Sequence, residues 1–237
     1  MDTNSENYYD SAAAHYVEMS TGRCEYLRGV DQIVIQNLKD IHAQNLLDIG
    51  AGDGRRSKFL ANALGIKQVI AVESSLKMAA EAREQLGEKN VLVGDATKLE
   101  FPEEYFDGVV SLWNVFGHIP SREGRIAVLN KISKSLKPGG RCIIDVNNRY
   151  NARHYGWWAV VRNVFNDAIR KRDGGWFPLQ IGGVEGKVYI HRPAEFENYL
   201  PEANLKVERT HYIGYESGAV RKMPWQGQFV YVLSRIE

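Results

Sequence analysis

Three glycines at alternate positions, in Asp48-Ile49-Gly50-Ala51-Gly52-Asp53-Gly54, separate a short apolar run from an amphipathic stretch. This loop limits the chain's possible folds more than any other segment. Glycine tolerates tight turns and lets a ligand approach the backbone closely. A glycine loop that ends a strand and opens a helix belongs at the carboxyl edge of a mainly parallel sheet, where open α/β folds bind ligands. A dinucleotide site would read G-x-G-x-x-G, but Arg55 stands where its third glycine is due. Asp53 also puts negative charge at the helix start, where a pyrophosphate would sit. No Gly-Lys-Ser/Thr follows, which excludes a P-loop. The loop suits a ligand without phosphates.

The surrounding sequence supplies the rest of such a sheet. Asn45 to Ile49, Val69 to Val72, Val91 to Val93, Gly108 to Leu112 and Arg141 to Val146 are predicted as five strands. Arg55 to Leu64 is predicted as a helix with Phe59, Leu60, Ala63 and Leu64 inward and Gly65 as its stop. A second helix is capped by Ser74 or Ser75 and ends at Gly87. A third runs from Ser121 to Lys137, and Lys137-Pro138-Gly139-Gly140 forms a turn. Helices of this length between strands imply right-handed parallel βαβ units.

The alternation stops after Val146. Residues 148–193 are rich in aromatic, glycine and basic residues and read as an insertion, with a helix near Trp158 to Ile169. Trp158, Val161 and Phe165 have the spacing of a packing face. A short helix over Ala194 to Leu200 follows, then two closing strands, Leu205 to Ile213 and Gln226 to Ser234. One domain is therefore expected over 1–237: a lid at 1–29, a core at 30–147, the insertion, and the closing segment 194–237.

The 237 residues carry a formal charge of +1, which gives no global attraction to nucleic acid. Neither Cys24 nor Cys142 belongs to a CxxC pair, so no zinc site or disulfide framework is expected, and no metal. The polar, acidic start lacks the form of a signal peptide, and no apolar run reaches the ~18 residues of a membrane span. The expectation is a cytoplasmic protein without a membrane partner, a monomer or a homodimer.

Four further signals accompany the loop. Glu73 ends the second strand, at about the distance from the loop where a carboxylate meets ribose hydroxyls. Asp95, in Gly94-Asp95-Ala96, can accept from an adenine amino group, or can simply form its turn. Phe106-Asp107 precedes the fourth strand, with Asn114 to His118 beyond that strand's far end, and Leu136-Lys137-Pro138-Gly139-Gly140 leads into the fifth. In this order, with Leu47 to Gly54, the set resembles the class I S-adenosylmethionine-dependent methyltransferases of the methyltransferase-11/25 type, specifically over residues 44–146.

The resemblance implies a Rossmann-like, doubly wound seven-stranded sheet whose last strand is antiparallel, with S-adenosyl-L-methionine as cofactor. It implies that Asp48, Gly50, Ala51 and Gly52 hold the donor's methionine part and Glu73 its ribose. Ser74 and Leu76 would flank the adenosine, Asp95 and Ala96 would face the adenine, and Trp113, Asn114 and Val115 would line the site. In the lid, Tyr16 and Arg23 would reach the donor. The lid tyrosines also fit packing on a sheet edge.

Candidate bases are His118 and His154, either of which has a plain structural reading as well. Tyr9, Arg149, Arg153, Trp157 and His191 are the candidates for binding the methyl acceptor. The insertion's aromatics fit a pocket or a cap on the core, and its cations fit a solvated face or an anionic acceptor. A small-molecule acceptor, methylated on oxygen or nitrogen, is favoured because lid and insertion would enclose a pocket. A tRNA- or protein-modifying enzyme, docking through the basic insertion, is the alternative. A donor-binding module without catalysis is a third.

Overall fold

The computed structural model describes residues 9–11, 13, 21–170, 175–181 and 183–236. Five parallel strands, β1 (Asn45–Ile49), β2 (Gln68–Glu73), β3 (Val91–Val93), β4 (Phe106–Ser111) and β5 (Leu136–Val146), lie in the order β3-β2-β1-β4-β5. Beyond β5 the sheet continues antiparallel through β10 (Gln228–Arg235) and β8 (Leu205–Ile213). Seven strands of this sheet match the expectation. An eighth, the two-residue β9 (Val220–Arg221), pairs with β8 inside the long segment between the closing strands.

Strand alternation sends side chains to two cores. Leu46 of β1, Ile143 of β5 and Val230 and Val232 of β10 join Val30, Val34 and Leu38 of helix α1 (Cys24–Asp40) and Leu60 of α2 (Arg55–Leu64). On the other face, Leu47, Ile144, Phe229 and Tyr231 meet Val128, Leu129 and Ile132 of a later helix (Arg122–Ser135) and Phe196 of the closing segment. Helices on both faces explain why the strands read as nearly unbroken apolar runs. Helix α3 (Leu76–Leu86) packs through alanines, Ala79 and Ala82 against Ala71, so it lies close to the sheet. Gly54 belongs to that close approach, because a Cβ there would stand 2.9 Å from the Ala82 Cα. Ser75 caps α3, its hydroxyl accepting from Met78 N, and Ser121 caps α4 (Arg122–Ser135) in the same way.

Two local expectations change. Lys137 to Gly140 is a bulge inside β5, because Phe106 pairs with Leu136 while Gly108 pairs with Arg141. Phe59 is 51% exposed, and α2 buries Leu60 and Ser57. Helix α2 is thus held by Leu60, with Ala61 and Leu64 packed partly on the same core, and by the Ser57 hydroxyl that donates to Asp48.

The insertion holds two short elements and a hairpin. After α5 (Ala152–Tyr155), α6 (Trp157–Arg170) covers the expected helix. Trp158, Val161 and Phe165 nevertheless point outward, so they are not a packing face. The hairpin β6 (Trp176–Ile181) and β7 (Val184–Tyr189) was not anticipated. Its signal is present in the sequence: Leu179 and Ile181 alternate, and two glycines separate the paired Ile181 and Val184. Helix α7 (Pro193–Glu197) then leads to the closing strands. Among the described residues no helix is long and apolar enough to cross a membrane.

Candidate active site

The site lies at the carboxyl ends of β1, β2 and β4, where the glycine loop turns. Gly50, Gly52 and Gly54 all adopt positive φ. A Cβ on Gly50 would stand 2.5 Å from a Val115 methyl, so only glycine lets the loop and the 113–115 segment meet. That segment is itself unusual: Trp113 and Asn114 are consecutive non-glycine residues in left-handed conformation. Asp145 of β5 holds it, accepting from Asn114 N at 3.0 Å on one oxygen and from the Tyr26 hydroxyl at 2.7 Å on the other. The Asn114 side chain accepts from Asn147 N at 2.9 Å. Tyr26 of α1 and Asp145 therefore position the site without lining it. Sequence reasoning missed both, because nothing local marks a tyrosine and an aspartate as partners 119 positions apart.

Glu73 is buried at the end of β2. Its carboxylate accepts from Gly52 N and Ser75 N, both at 2.9 Å, one on each oxygen. Ser74 also hydrogen-bonds this carboxylate through its backbone and its side chain. Burial raises its pKa above the ordinary carboxylate value, against the pull of these backbone N–H groups.

One cavity gathers Gly50, Gly52, Glu73, Ser74, Asp95, Ala96, Trp113, Asn114 and Val115, as expected from the sequence. Asp95 also accepts from Thr97 N at 2.8 Å, so the turn-forming reading holds beside the lining one. Tyr9 and His118 complete the cavity, with the Tyr9 hydroxyl 2.9 Å from His118 Nε2. Burial pushes the His118 pKa down to about 4, so the ring is neutral at pH 7. The insertion contributes Leu179, Ile181 and Val188 of its hairpin, an apolar wall that sequence reasoning did not single out. Asp10 reaches the same region, accepting from Lys77 N at 3.2 Å and hydrogen-bonding the Ser75 hydroxyl.

A second cavity shares Gly50, Leu112 and Trp113 with the first and adds Asp31, Asp48, Ala51 and Arg56. Asp48 accepts from the Ser57 hydroxyl at 2.6 Å, and burial lifts its pKa to about 6. Arg56 pairs with Asp31 at 2.6 Å. Its Nη2 is buried without a hydrogen-bond partner among the described residues. An unmatched guanidinium N–H beside the glycine loop fits a carboxylate such as an amino acid carries.

The structure leaves the remaining candidates outside both cavities. Leu76 is 60% exposed at the start of α3. The Arg23 guanidinium lies 4.2 Å from the Tyr215 ring centroid, and His154 packs on the same ring. Arg149 is buried, paired with Asp167 at 2.6 Å and donating to Ile190 O. His191 is fully buried among Tyr189, Phe196 and Tyr199, and burial drives its pKa well below the usual histidine range. Arg153 and Trp157 are exposed. Tyr16 lies outside the described residues. Among the described residues no group of three or more His, Cys, Asp or Glu side chains could hold a metal ion.

Known proteins share this frame. The profile of a family described as a methyltransferase domain matches residues 46–140. An uncharacterized protein of Methanocaldococcus jannaschii is 29% identical over 71% of this chain and 62% of its own length. An uncharacterized methyltransferase of Anoxybacillus flavithermus is 28% identical over 57% of this chain and 63% of its own. The aligned part is thus under two thirds of either relative's length. The crystal structure of an S-adenosylmethionine-dependent methyltransferase from Clostridium acetobutylicum superposes with a TM-score of 0.68, covering 96% of this chain and 98% of that one. At 15% identity that likeness shows the fold.

Proposed function

We propose, from the premise that the chain belongs to the class I S-adenosylmethionine-dependent methyltransferases, that it methylates an oxygen or nitrogen atom of a small-molecule acceptor. S-adenosyl-L-methionine, the family's donor, supplies when bound a methyl group already activated by its positively charged sulfur. Glu73, at the cavity wall, would accept from the ribose diol, with the Ser74 side chain giving way. Asp95 and Ala96 would border the adenine, and the loop at Gly50 and Gly52 would take the methionine part. Arg56 Nη2 supplies a donor for that part's carboxylate. These residues act by fixing a ligand in one orientation and excluding water, which in favourable systems is worth roughly 7–11 kcal/mol.

Tyr9 and His118 would hold the acceptor. The Tyr9 hydroxyl and the neutral His118 ring, 2.9 Å apart at Nε2, would together face the acceptor's O–H or N–H. A histidine held near pKa 4 is a weak base, which suits an amine better than an unactivated alcohol. The observation that carries the small-molecule reading is the apolar wall of Leu179, Ile181 and Val188. It faces the same cavity as Gly50, Glu73 and Asp95, so acceptor and donor would share one enclosed space.

Labelled S-adenosyl-L-methionine incubated with separate small-molecule, RNA and protein pools tests this. Label is expected in the small-molecule pool. Label confined to RNA or protein would contradict the small-molecule reading, and no transfer to any pool would favour a donor-binding module.

A further inference from the structure

Helix α6 is mounted with its apolar face outward. Its inner face is largely polar: Asp167 pairs with buried Arg149 and accepts from the Tyr150 hydroxyl, Asn163 donates to Arg149 O, and only Val160 is a buried apolar anchor. Trp157, Trp158, Val161, Val164, Phe165 and Ile169 are between 46% and 87% exposed. At 100° per residue they fall on one continuous stripe. The stripe extends onto a neighbouring turn, where Trp225 lies 6.4 Å from Trp157 and Met223 is 40% exposed. Single exposed apolar side chains are ordinary, but a contiguous stripe with several aromatics marks an interaction surface.

The surrounding charge selects the partner. Arg153, Arg162 and Lys222 are exposed around this surface. Against them Asp167 is already neutralised by Arg149, and Glu216 lies 3.5 Å from His154. A two-fold contact between copies would bring like charges together along the stripe. A helix with tryptophan and phenylalanine on one face and a basic fringe matches the interfacial region of an anionic bilayer.

We propose that α6 and the Met223–Trp225 turn dock the protein reversibly on anionic lipid surfaces, with the apolar stripe seated among the acyl-chain boundaries and the arginines among the headgroups. The expectation of no membrane partner rested on the lack of a spanning segment, which an interfacial helix does not require. The proposal is independent of which acceptor is methylated.

Co-sedimentation with vesicles of phosphatidylcholine alone, or of phosphatidylcholine and phosphatidylglycerol in equal parts, tests it on the whole protein. Binding to the anionic vesicles is expected to be roughly tenfold or more tighter and to weaken with salt. Trp158→Ser with Phe165→Ser should cut that binding about tenfold or more. Both positions are exposed, and an unchanged melting temperature and S-adenosylhomocysteine affinity would show the fold intact. Arg153→Gln with Arg162→Gln should flatten the salt dependence. Binding to neither vesicle, or binding unaffected by the paired serine change, would overturn the proposal. So would a concentration-dependent dimer that those serines abolish without any vesicle binding.

Discussion

Gly50 shows how one residue couples fold to site. With φ at +76° and Val115 where a Cβ would go, Gly50→Ala should destabilise by about 1–3 kcal/mol. It should weaken donor binding as well, which melting curves and calorimetry would read separately. His118 makes a pH prediction. Its folded pKa, about 4, lies below the ordinary 6.5, so the unfolded chain binds the extra proton between those values. The stabilising contribution is complete above pH 6.5 and is lost as pH falls toward 4. Denaturation from pH 7 to 4 should therefore show a steeper loss for the parent than for His118→Gln. For methyl transfer, kcat/KM should run level through pH 6.5 and fall only below about pH 5. An acid limb centred at 6.5 would mean that His118 is exposed to water in the working enzyme. Residue types with one dominant use were legible from sequence: Gly50, Gly52 and Glu73 line one cavity. Arg56, Asp31 and Asp145 were not, because their roles depend on partners brought in by α1 and β5.

At the scale of elements, the sheet core was legible because hydrophobic period and caps agree along it, as Ser75 and Ser121 show. The motif Phe106-Asp107 and the Leu136–Gly140 segment prove to be structural. Burial tends to raise the Asp107 pKa, but Lys137 at 2.7 Å and the N–H groups of Gln44 and Asn45 hold it below the ordinary value. That cluster ties the starts of β1, β4 and β5 together at the sheet edge away from the cavity. The insertion was misread in detail. Apolar helical spacing reports a face and does not say which way the face points, so α6 was assigned inward. The hairpin was hidden within an aromatic, glycine-rich stretch. Its Leu179 and Ile181 line the cavity, which Arg149 and Trp157 do not. Leu179→Asp should therefore raise the acceptor KM while leaving donor affinity unchanged. Arg149→Met acts differently. It strands Asp167 beneath α6 at a cost of about 3–5 kcal/mol, to be seen as faster proteolysis within 148–193. Equal effects of both changes on acceptor KM, without altered proteolysis, would return Arg149 to the acceptor site.

For the whole molecule, a parallel half-sheet carries the glycine loop and an antiparallel half closes the opposite edge, within a fold shared with the Clostridium acetobutylicum structure. One part of the insertion walls the cavity and the other turns an apolar stripe to the outside. The central claim is that Glu73 and the glycine loop bind an adenosyl ligand without phosphates. Calorimetric titration of S-adenosylhomocysteine and of NAD into the parent protein and into Glu73→Ala tests it most directly. The account predicts one S-adenosylhomocysteine bound per chain, no NAD binding, and a loss of about 1.5–3 kcal/mol in the variant, the worth of hydrogen bonds to a charged group. Binding of NAD with no response to S-adenosylhomocysteine, or an affinity for S-adenosylhomocysteine indifferent to Glu73, would contradict it.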